Sequence, residues 1–179
     1  SRVLDLGCGG GALLRDLLAD PAFTDIVGVD VSVRALAAAA RALRLDQLTE
    51  RAAARVTLRQ SALTYTDASL AGFDAAVLME VIEHVDVDRL PALEHAVFGV
   101  AHPGTVVVTT PNAEYNARFA SLGRGELRHV DHRFEWTRAQ FRTWADGVAQ
   151  RHGYRVRYLP VGPEDDRLGP ATQLAVFAS

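Results

Sequence analysis

Apolar runs and stretches of helical period alternate along the first 110 residues of the chain. Short apolar runs bounded by turn residues predict five buried strands, at 2–6, 26–31, 56–60, 73–79 and 105–110. Helical patterns lie between them, at about 11–19 and 33–43, with Ser32 as a predicted N-cap, and from 80 or shortly after it, with 91–100 as a continuation or a separate helix. Strands that alternate with helices predict right-handed βαβ units and a parallel sheet covered on both faces.

The last third of the chain has a different pattern. Residues 112–136 are polar and without clear period, and an irregular segment of this length in a compact domain is usually functional or disordered. Thr137 is then a predicted cap for a helix to about residue 151, and runs at 154–159 and 172–178 predict a closing antiparallel hairpin. We therefore expect one α/β domain over residues 1–179, doubly wound around a mostly parallel seven-stranded sheet.

Composition narrows the class of protein. With 179 residues, 49% hydrophobic and 23% charged, the chain is typical of one globular domain and not of a disordered protein. The net charge of -3 excludes a uniformly basic nucleic-acid module. The single cysteine, Cys8, excludes an internal disulfide and favours a reducing, cytoplasmic location. No apolar run is long enough to predict a membrane-spanning segment, so a membrane is not an expected partner. Because the chain starts at Ser1 directly in a predicted strand, we expect a domain from a longer protein.

A glycine-rich turn follows the first predicted strand. Gly7, Gly9 and Gly11 leave room for a ligand to approach the backbone and the start of the next helix, which is typical of a nucleotide site. Asp30 ends the second strand, where a carboxylate can accept hydrogen bonds from a ribose diol. Gly7, Gly9 and Ala12 also fit a dinucleotide-binding pattern, so a noncatalytic dinucleotide-binding module is one alternative.

The pattern Asp-x-Gly-x-Gly-x-Gly that starts at Asp5, together with Asp30, resembles the S-adenosylmethionine site of class I methyltransferases, which have a Rossmann-like fold. The resemblance implies that Asp5 lies near the amino-acid part of the cofactor and that Asp30 binds its ribose. It also implies that Ser61 and Ala62, after the third strand, flank the adenine. The predicted cofactor residues are Asp5, Gly7, Gly9, Gly11, Asp30, Ser32, Ser61 and Ala62.

Three residues with metal-binding side chains follow the fourth predicted strand. Glu80, Glu83 and His84 are spaced so that a helix would place all three on one face. Two carboxylates so placed repel each other unless a cation lies between them, and carboxylate with imidazole suits a divalent ion. The alternative is a solvated helix start, where acidic residues interact favourably with the helix dipole.

The irregular segment contains a second group of such residues. His129 and His132 are three residues apart, and Asp131 and Glu135 are close enough in sequence to orient an imidazole. Either histidine could complete a site of two carboxylates and two imidazoles. Such a set favours manganese over magnesium, which prefers oxygen ligands and water.

Three motifs together specify a family. They are E-V-I-E-H from Glu80, T-P-N-x-E-Y-N from Thr110 and H-x-D-H-R-F-E-W-T-R from His129. Their combination resembles the small-RNA 3′-terminal ribose 2′-O-methyltransferase family in its bacterial form. The resemblance implies catalytic and metal-binding roles for Glu80, Glu83, His84 and His132, with Mn²⁺ or Mg²⁺, although the choice of His132 over His129 stays open.

The same resemblance implies a substrate and partners. The implied substrate is the RNA 3′ end with a free 2′,3′-diol. The implied role of its methylation is RNA repair or small-RNA end protection. The bacterial members carry a further N-terminal region linked to ligation, so an RNA end-healing and ligation enzyme complex is the implied partner.

The irregular segment and the start of the next helix are slightly basic. Six arginines (118, 124, 128, 133, 138 and 142) against four acids give residues 112–142 a charge of +2, which leaves -5 elsewhere because the total is -3. Such a basic surface can attract a phosphate backbone, whereas interleaved acids would instead pair with the arginines. Tyr115 and Phe119 are candidates for base stacking, and Phe134 and Trp136 are expected in the core.

Three rival functions remain at this point. A methyltransferase for a small hydroxylated molecule would use the glycine turn and the acidic segment but would not need residues 129–138. A dinucleotide-binding module would bind NAD in place of S-adenosylmethionine. A noncatalytic RNA-repair scaffold would bind RNA without methyl transfer.

Overall fold

The computed structural model describes residues 1–123 and 125–179. In these two ranges, seven strands form one sheet: β1 (Arg2–Leu6), β2 (Asp25–Asp30), β3 (Val56–Gln60), β4 (Ala75–Met79), β5 (Thr105–Pro111), β6 (Arg155–Asp165) and β7 (Gly169–Ala178). The helices are α1 (Ala12–Ala19), α2 (Val33–Ala42), α3 (Glu50–Ala53), α4 (Leu90–Glu94), which continues as a π-helical stretch (His95–Ala101), and α5 (Arg138–His152). None of the helices in the described ranges is long and apolar enough to cross a membrane.

The strand order is β3-β2-β1-β4-β5-β7-β6. The first five strands pair in parallel, and β7 pairs antiparallel with both β5 and β6. The winding direction reverses between β1 and β4, and ligands of such sheets bind at this switch point, beyond the carboxyl ends of the strands. The predicted doubly wound α/β class with an antiparallel C-terminal hairpin is therefore confirmed.

Side chains on β1 alternate between two cores, which explains why both faces of the sheet are covered. Leu4 and Leu6 belong to the larger core, which the π-helical stretch after α4 covers with Phe98 and α5 covers with Phe141. Val3 belongs to the smaller core on the opposite face, with apolar residues of α1 and α2.

Helix starts follow the predicted caps. The Ser32 side chain accepts a hydrogen bond from the Ala35 N–H, and Thr137 forms a capping box with Gln140 at the start of α5. Each cap satisfies an amide that would otherwise lack a partner in the first helical turn.

The C-terminal hairpin is longer than predicted. The predicted strands at 154–159 and 172–178 leave residues 160–171 as a loop, but pairing continues until Asp165 lies opposite Gly169, with a register shift between Val161 and Glu164. Pro160 is tolerated because β6 is the edge strand of the sheet, where an N–H is not required. The extension brings the hairpin tip close to the carboxyl end of β5.

The helix predicted from Glu80 is wrong. Glu80 adopts a left-handed backbone with φ of 54°, and only Ile82–His84 form a short 3-10 turn before Val85 returns to extended backbone. The Glu80 N–H is held by the Thr109 backbone carbonyl at 3.2 Å and by the Thr109 hydroxyl at 3.0 Å. These contacts with β5 override the helical spacing, so the three acidic and imidazole side chains do not share a helix face.

Candidate functional site

A cavity of about 770 Å³ lies at the switch point of the sheet. It contains six of the eight residues predicted to bind the cofactor. The lining residues are Gly7, Gly9, Asp30, Val31, Ser32, Ser61, Ala62, Leu63, Thr64, Glu80, Val81, His84, Val85, Asp86, Arg89 and Asp131. The cavity therefore extends from the glycine turn to the segment after β4.

The glycine turn connects β1 to α1 through left-handed backbone. Gly7 and Gly11 have φ of 84° and 80°, a region that other residues rarely adopt. A Cβ on Gly7 would lie 2.6 Å from a methyl group of Val81, which belongs to the segment after β4. Gly11 is the N-cap residue of α1 and does not line the cavity. Its role is to allow the turn, while Gly7 and Gly9 expose their backbone to the cavity.

Asp30 joins the glycine turn to the start of α2. Its Oδ2 accepts a hydrogen bond from the Gly9 N–H at 2.9 Å, and its Oδ1 accepts one from the Ser32 N–H at 2.8 Å. Each oxygen still has a lone pair, so Asp30 can hold the turn and also accept bonds from a ligand in the cavity.

Asp5 lies beneath the turn and not on the cavity wall. Its side chain is buried, and its Oδ2 has no hydrogen-bond partner among the described residues. Burial, and secondarily the charge of Asp30, raise the pKa of Asp5 to about 6. A buried carboxylate without a partner is costly, and a cation above the turn would offset that cost.

Ser61 and Ala62, which the resemblance places at the adenine, line the cavity after β3. Three further residues line the same region, Leu63, Thr64 and Arg89. The sequence did not predict them, because they lie in connecting segments and belong to no recognisable motif. The Arg89 guanidinium donates a long hydrogen bond to the Thr64 hydroxyl at 3.4 Å, which connects the segment after β4 to the segment after β3.

Glu83, His84 and His132 form a compact group. One ligand atom from each lies within 4.8 Å of the others, an arrangement that could hold a metal ion. In the part of the chain that the structure describes, this group includes neither Glu80 nor His129. The segment after β4 thus meets the irregular segment at the cavity, since His84 also lines that cavity.

The two glutamates are held by consecutive threonines of β5. The Thr109 hydroxyl donates to Glu80 Oε1 at 2.8 Å, and the Thr110 hydroxyl donates to Glu83 Oε2 at 2.9 Å. Glu83 is fully buried, and its Oε1 lacks a partner within the described ranges. Burial and the charge of Glu80 raise the pKa of Glu83 to about 7. The threonines were missed because β-branched residues at a strand end are equally typical of the strand itself.

The two imidazoles contact acceptors in the irregular segment. Nδ1 of His84 lies 3.3 Å from the carbonyl of Asp131, and Nδ1 of His132 lies 2.6 Å from Oε1 of Glu135. Partial burial lowers the pKa of His84, which favours the neutral, metal-binding form. His129 contacts Asp131 instead, with its Nδ1 3.7 Å from Oδ2.

Most arginines of the basic segment already have partners. Arg118 pairs with Asp165, Arg138 pairs with Glu114 at 2.5 Å, and Arg142 lies over the ring of Tyr158. Arg128 donates to the carbonyls of Asn112 and Ala171. Arg124 lies outside the described residues. Most of the arginines that were candidates for phosphate contact are therefore already engaged with acids, carbonyls or an aromatic ring.

The aromatic residues divide as expected. Phe134 is buried and Trp136 packs against the larger core, whereas Phe119 remains 41% exposed. Cys8 is a buried turn residue, and burial raises the pKa of its thiol to about 12, which excludes a reactive thiolate at neutral pH.

Comparisons with known proteins agree with this geometry. The family model "Methyltransferase domain" matches residues 4–107. A small RNA 2′-O-methyltransferase of Mus musculus is 39% identical over 98% of this chain and 46% of its own length, so the chain spans about half of that relative.

Solved structures extend the comparison to three dimensions. The methyltransferase domain of bacterial-CtHen1-CN is 48% identical with a TM-score of 0.90, covering 99% of this chain and 90% of that chain. A chain of the Pnkp1/Rnl/Hen1 RNA repair complex shares the fold, with a TM-score of 0.74 and 19% identity over 99% of this chain and 38% of that chain. Because the identity to the bacterial domain extends over nearly its full length, this chain belongs to the small RNA 2′-O-methyltransferase family and forms a methyltransferase domain of its bacterial, Hen1 type.

Proposed function

We propose that this domain transfers a methyl group from S-adenosylmethionine to the 2′-hydroxyl of the 3′-terminal ribose of RNA, with the help of a divalent metal ion. The observation that carries the proposal is the position of His84. It lines the cavity that contains the glycine turn and Asp30, and it belongs to the compact group with Glu83 and His132. A cofactor in the cavity and an ion at the group would therefore be neighbours.

The cavity suits S-adenosylmethionine. Gly7 and Gly9 expose backbone, Asp30 has lone pairs for ribose hydroxyls, and Ser61 and Ala62 line the region proposed for adenine. Asp5 supports the proposal from below the turn, because its unpartnered, buried oxygen favours the cationic amino-acid end of the cofactor. An NAD molecule would not use that carboxylate in the same way, since it carries no ammonium group.

The group of Glu83, His84 and His132 suits a divalent ion, with Glu80 as an additional ligand at the cavity wall. The unpartnered Oε1 of Glu83 supports this assignment, because a buried carboxylate oxygen without a donor favours a cation. When bound, such an ion would polarise the ribose hydroxyls and make the 2′-oxygen a better nucleophile. Two imidazoles in the set favour Mn²⁺ over Mg²⁺.

The histidines are poorly arranged to act as bases. Each has Nδ1 against an acceptor oxygen, so each has one lone pair, at Nε2. A lone pair that binds metal cannot also take a proton. The proton of the 2′-hydroxyl would therefore leave to water or to an exposed group at the cavity mouth.

Association with an RNA end-healing and ligation enzyme complex, a role in RNA repair or end protection, and a cytoplasmic location stay predictions. The likeness to a chain of an RNA repair complex extends to the fold alone.

The experiment uses RNA oligonucleotides that differ only at the terminal ribose. We expect methyl incorporation from labelled S-adenosylmethionine at a 2′,3′-diol with added Mn²⁺. Ends with 3′-phosphate, 2′,3′-cyclic phosphate or 3′-deoxyribose should react at least about a hundredfold more slowly, because they do not present both hydroxyls.

The controls separate the alternatives. Activity in excess chelator would contradict metal dependence, and comparable transfer to the 3′-deoxy end would contradict the requirement for a diol. A phenolic substrate tests small-molecule methyl transfer, and calorimetry with NAD tests the dinucleotide-binding module.

A further inference from the structure

The side chain of Glu135 is enclosed by hydrogen-bond donors behind His132. It is 0% exposed, and its Oε1 accepts from Nδ1 of His132 at 2.6 Å. The same oxygen accepts from the Arg128 N–H at 2.7 Å, and Oε2 accepts from the Asn116 amide at 2.5 Å. Three donors to one buried carboxylate compensate for its desolvation and fix its orientation.

The contact between Glu135 and His132 determines which imidazole nitrogen carries the proton. A carboxylate has no proton to donate, so Nδ1 of His132 must be the donor. Nε2 then keeps its lone pair. One ligand atom each of Glu83, His84 and His132 lies within 4.8 Å of the others, and the His84 and His132 ring centroids are 4.9 Å apart.

Glu135 is itself held in place from outside the site. Arg128 Nε donates to Oδ1 of Asn116 at 2.6 Å, and another Arg128 nitrogen donates to the Ala171 carbonyl at 2.8 Å. The guanidinium also donates to the carbonyl of Asn112, at the end of β5. The carboxylate is thus connected to β5 and to the C-terminal hairpin and cannot rotate away from His132 without breaking this network.

We infer that Glu135 is a positioning residue that holds His132 in the Nδ1–H tautomer, with Nε2 directed at the ion proposed to bind with Glu83 and His84. This inference rests on the proposed function for the identity of the ion. Glu135 does not touch the substrate or the ion, and it acts only through the imidazole. Outer residues of this kind typically change metal affinity by about 10- to 100-fold when they are replaced.

The test compares Glu135→Gln with Glu114→Gln in the full chain. Both variants remove one carboxylate from the irregular segment, but Glu114 pairs with Arg138 and contacts neither histidine of the group. Ring ¹⁵N chemical shifts of labelled histidine report the tautomer without any metal, and a His132→Gln sample assigns the signal. Mn²⁺ titration and S-adenosylmethionine titration report the two binding sites separately.

We expect the wild-type protein and Glu114→Gln to show the Nδ1–H tautomer and the same Mn²⁺ affinity. Glu135→Gln should show a mixed tautomer and Mn²⁺ binding weaker by about 10- to 100-fold, with unchanged affinity for S-adenosylmethionine.

Two results would overturn the inference. One is an Nε2–H tautomer for His132 in the wild-type protein, which needs no variant and so remains decisive if Glu135→Gln fails to fold. The other is a folded Glu135→Gln variant with wild-type Mn²⁺ affinity. If the wild-type protein binds no Mn²⁺, the metal part of the proposed function fails, and the tautomer measurement still tests the role of Glu135.

Discussion

At the residue scale, two buried carboxylates define the ends of the site. Asp5 lies under the glycine turn and Glu83 lies in the group with the histidines, and each has one buried oxygen without a partner in the described part of the chain. Uncompensated burial destabilises the folded protein, and a catalytic role or a bound ion is among the reasons for which natural proteins retain it. These two residues therefore locate the sites proposed for the two positive charges, the ammonium group and the metal ion.

Asp5→Asn should stabilise the ligand-free protein at alkaline pH. The pKa of Asp5 is raised from 3.8 to about 6 in the folded state, so protonated Asp5 favours folding below about pH 4. That contribution is lost as the pH rises through about 6, because folding then requires a buried, ionised carboxylate. The variant should gain roughly 2–3 kcal/mol over the wild type at pH 8, with the gain shrinking towards pH 4.

Thermal unfolding of both proteins across this pH range, without S-adenosylmethionine, provides the measurement. A difference in stability that does not change with pH would contradict the raised pKa. The same variant should bind S-adenosylmethionine more weakly, whereas no change in affinity would remove Asp5 from the proposed cofactor site.

Residue types and spacing were sufficient to predict that the glycine turn and Asp30 lie together, which the structure shows, because each belongs to a dense motif. Spacing alone left His129 and His132 as equal candidates, and the structure places His132 beside Glu83 and His84. The sequence was insufficient for Thr109 and Thr110, whose hydroxyls contact glutamates 29 and 27 residues away. Contacts between neighbouring parallel strands depend on sheet order, and no local pattern encodes that order. The contact between Glu135 and His132 was predictable because it spans only three residues.

At the element scale, the sequence predicted those elements whose backbone conformation depends on nearby residues. Strands and caps were predicted well, because apolar period and short polar side chains act locally. The segment after β4 was predicted wrongly as a helix. Residue spacing cannot reveal that the Glu80 N–H donates to Thr109 of β5 or that Glu80 adopts a left-handed backbone with φ of 54°. The two carboxylates are consequently held by the hydroxyls of Thr109 and Thr110 and not by one helix face.

Gly11→Ala should destabilise the domain, whereas Gly10→Ala should not. Gly11 has φ of 80°, and a Cβ there would lie 2.9 Å from the Cβ and 3.1 Å from the Cα of Ala39 in α2. The strained backbone and the contact should together cost about 1–3 kcal/mol, because neither helix can move without disturbing the core. A Cβ on Gly10 would meet nothing within 4 Å, so that variant is a matched control in the same turn.

Urea unfolding of the two variants and the wild type provides the test. We expect a lower midpoint for Gly11→Ala alone, with weaker binding of S-adenosylmethionine, since the turn and α1 would shift. Equal midpoints for the two variants would show that the left-handed turn is not required for stability.

At the scale of the whole molecule, the proposed RNA substrate has a negative backbone and the protein has a net charge of -3, so binding of that substrate would depend on a local basic surface. The basic segment contributes less than its composition suggested, because Arg118, Arg128 and Arg138 are engaged with carboxylates or carbonyls. Arg133 is different. Its backbone N–H binds the Glu83 carbonyl at 2.7 Å, beside the group proposed to bind metal, and its side chain is 58% exposed.

Arg133→Ala should therefore weaken RNA binding more than Arg118→Ala does. The Arg133 guanidinium lies 3.4 Å from the exposed carboxylate of Asp86, a pairing weak enough for a phosphate to replace. Arg118 is a matched control, because it belongs to the same segment but pairs with Asp165 at the hairpin.

One lost phosphate contact should make the dependence of log K on log salt concentration shallower by about 0.7 for a single strand. Fluorescence anisotropy with a labelled RNA at several salt concentrations would measure both quantities, and binding of S-adenosylmethionine should stay unchanged. If Arg133→Ala keeps the wild-type slope while Arg118→Ala reduces it, the RNA approaches over the hairpin and not over the segment after β4.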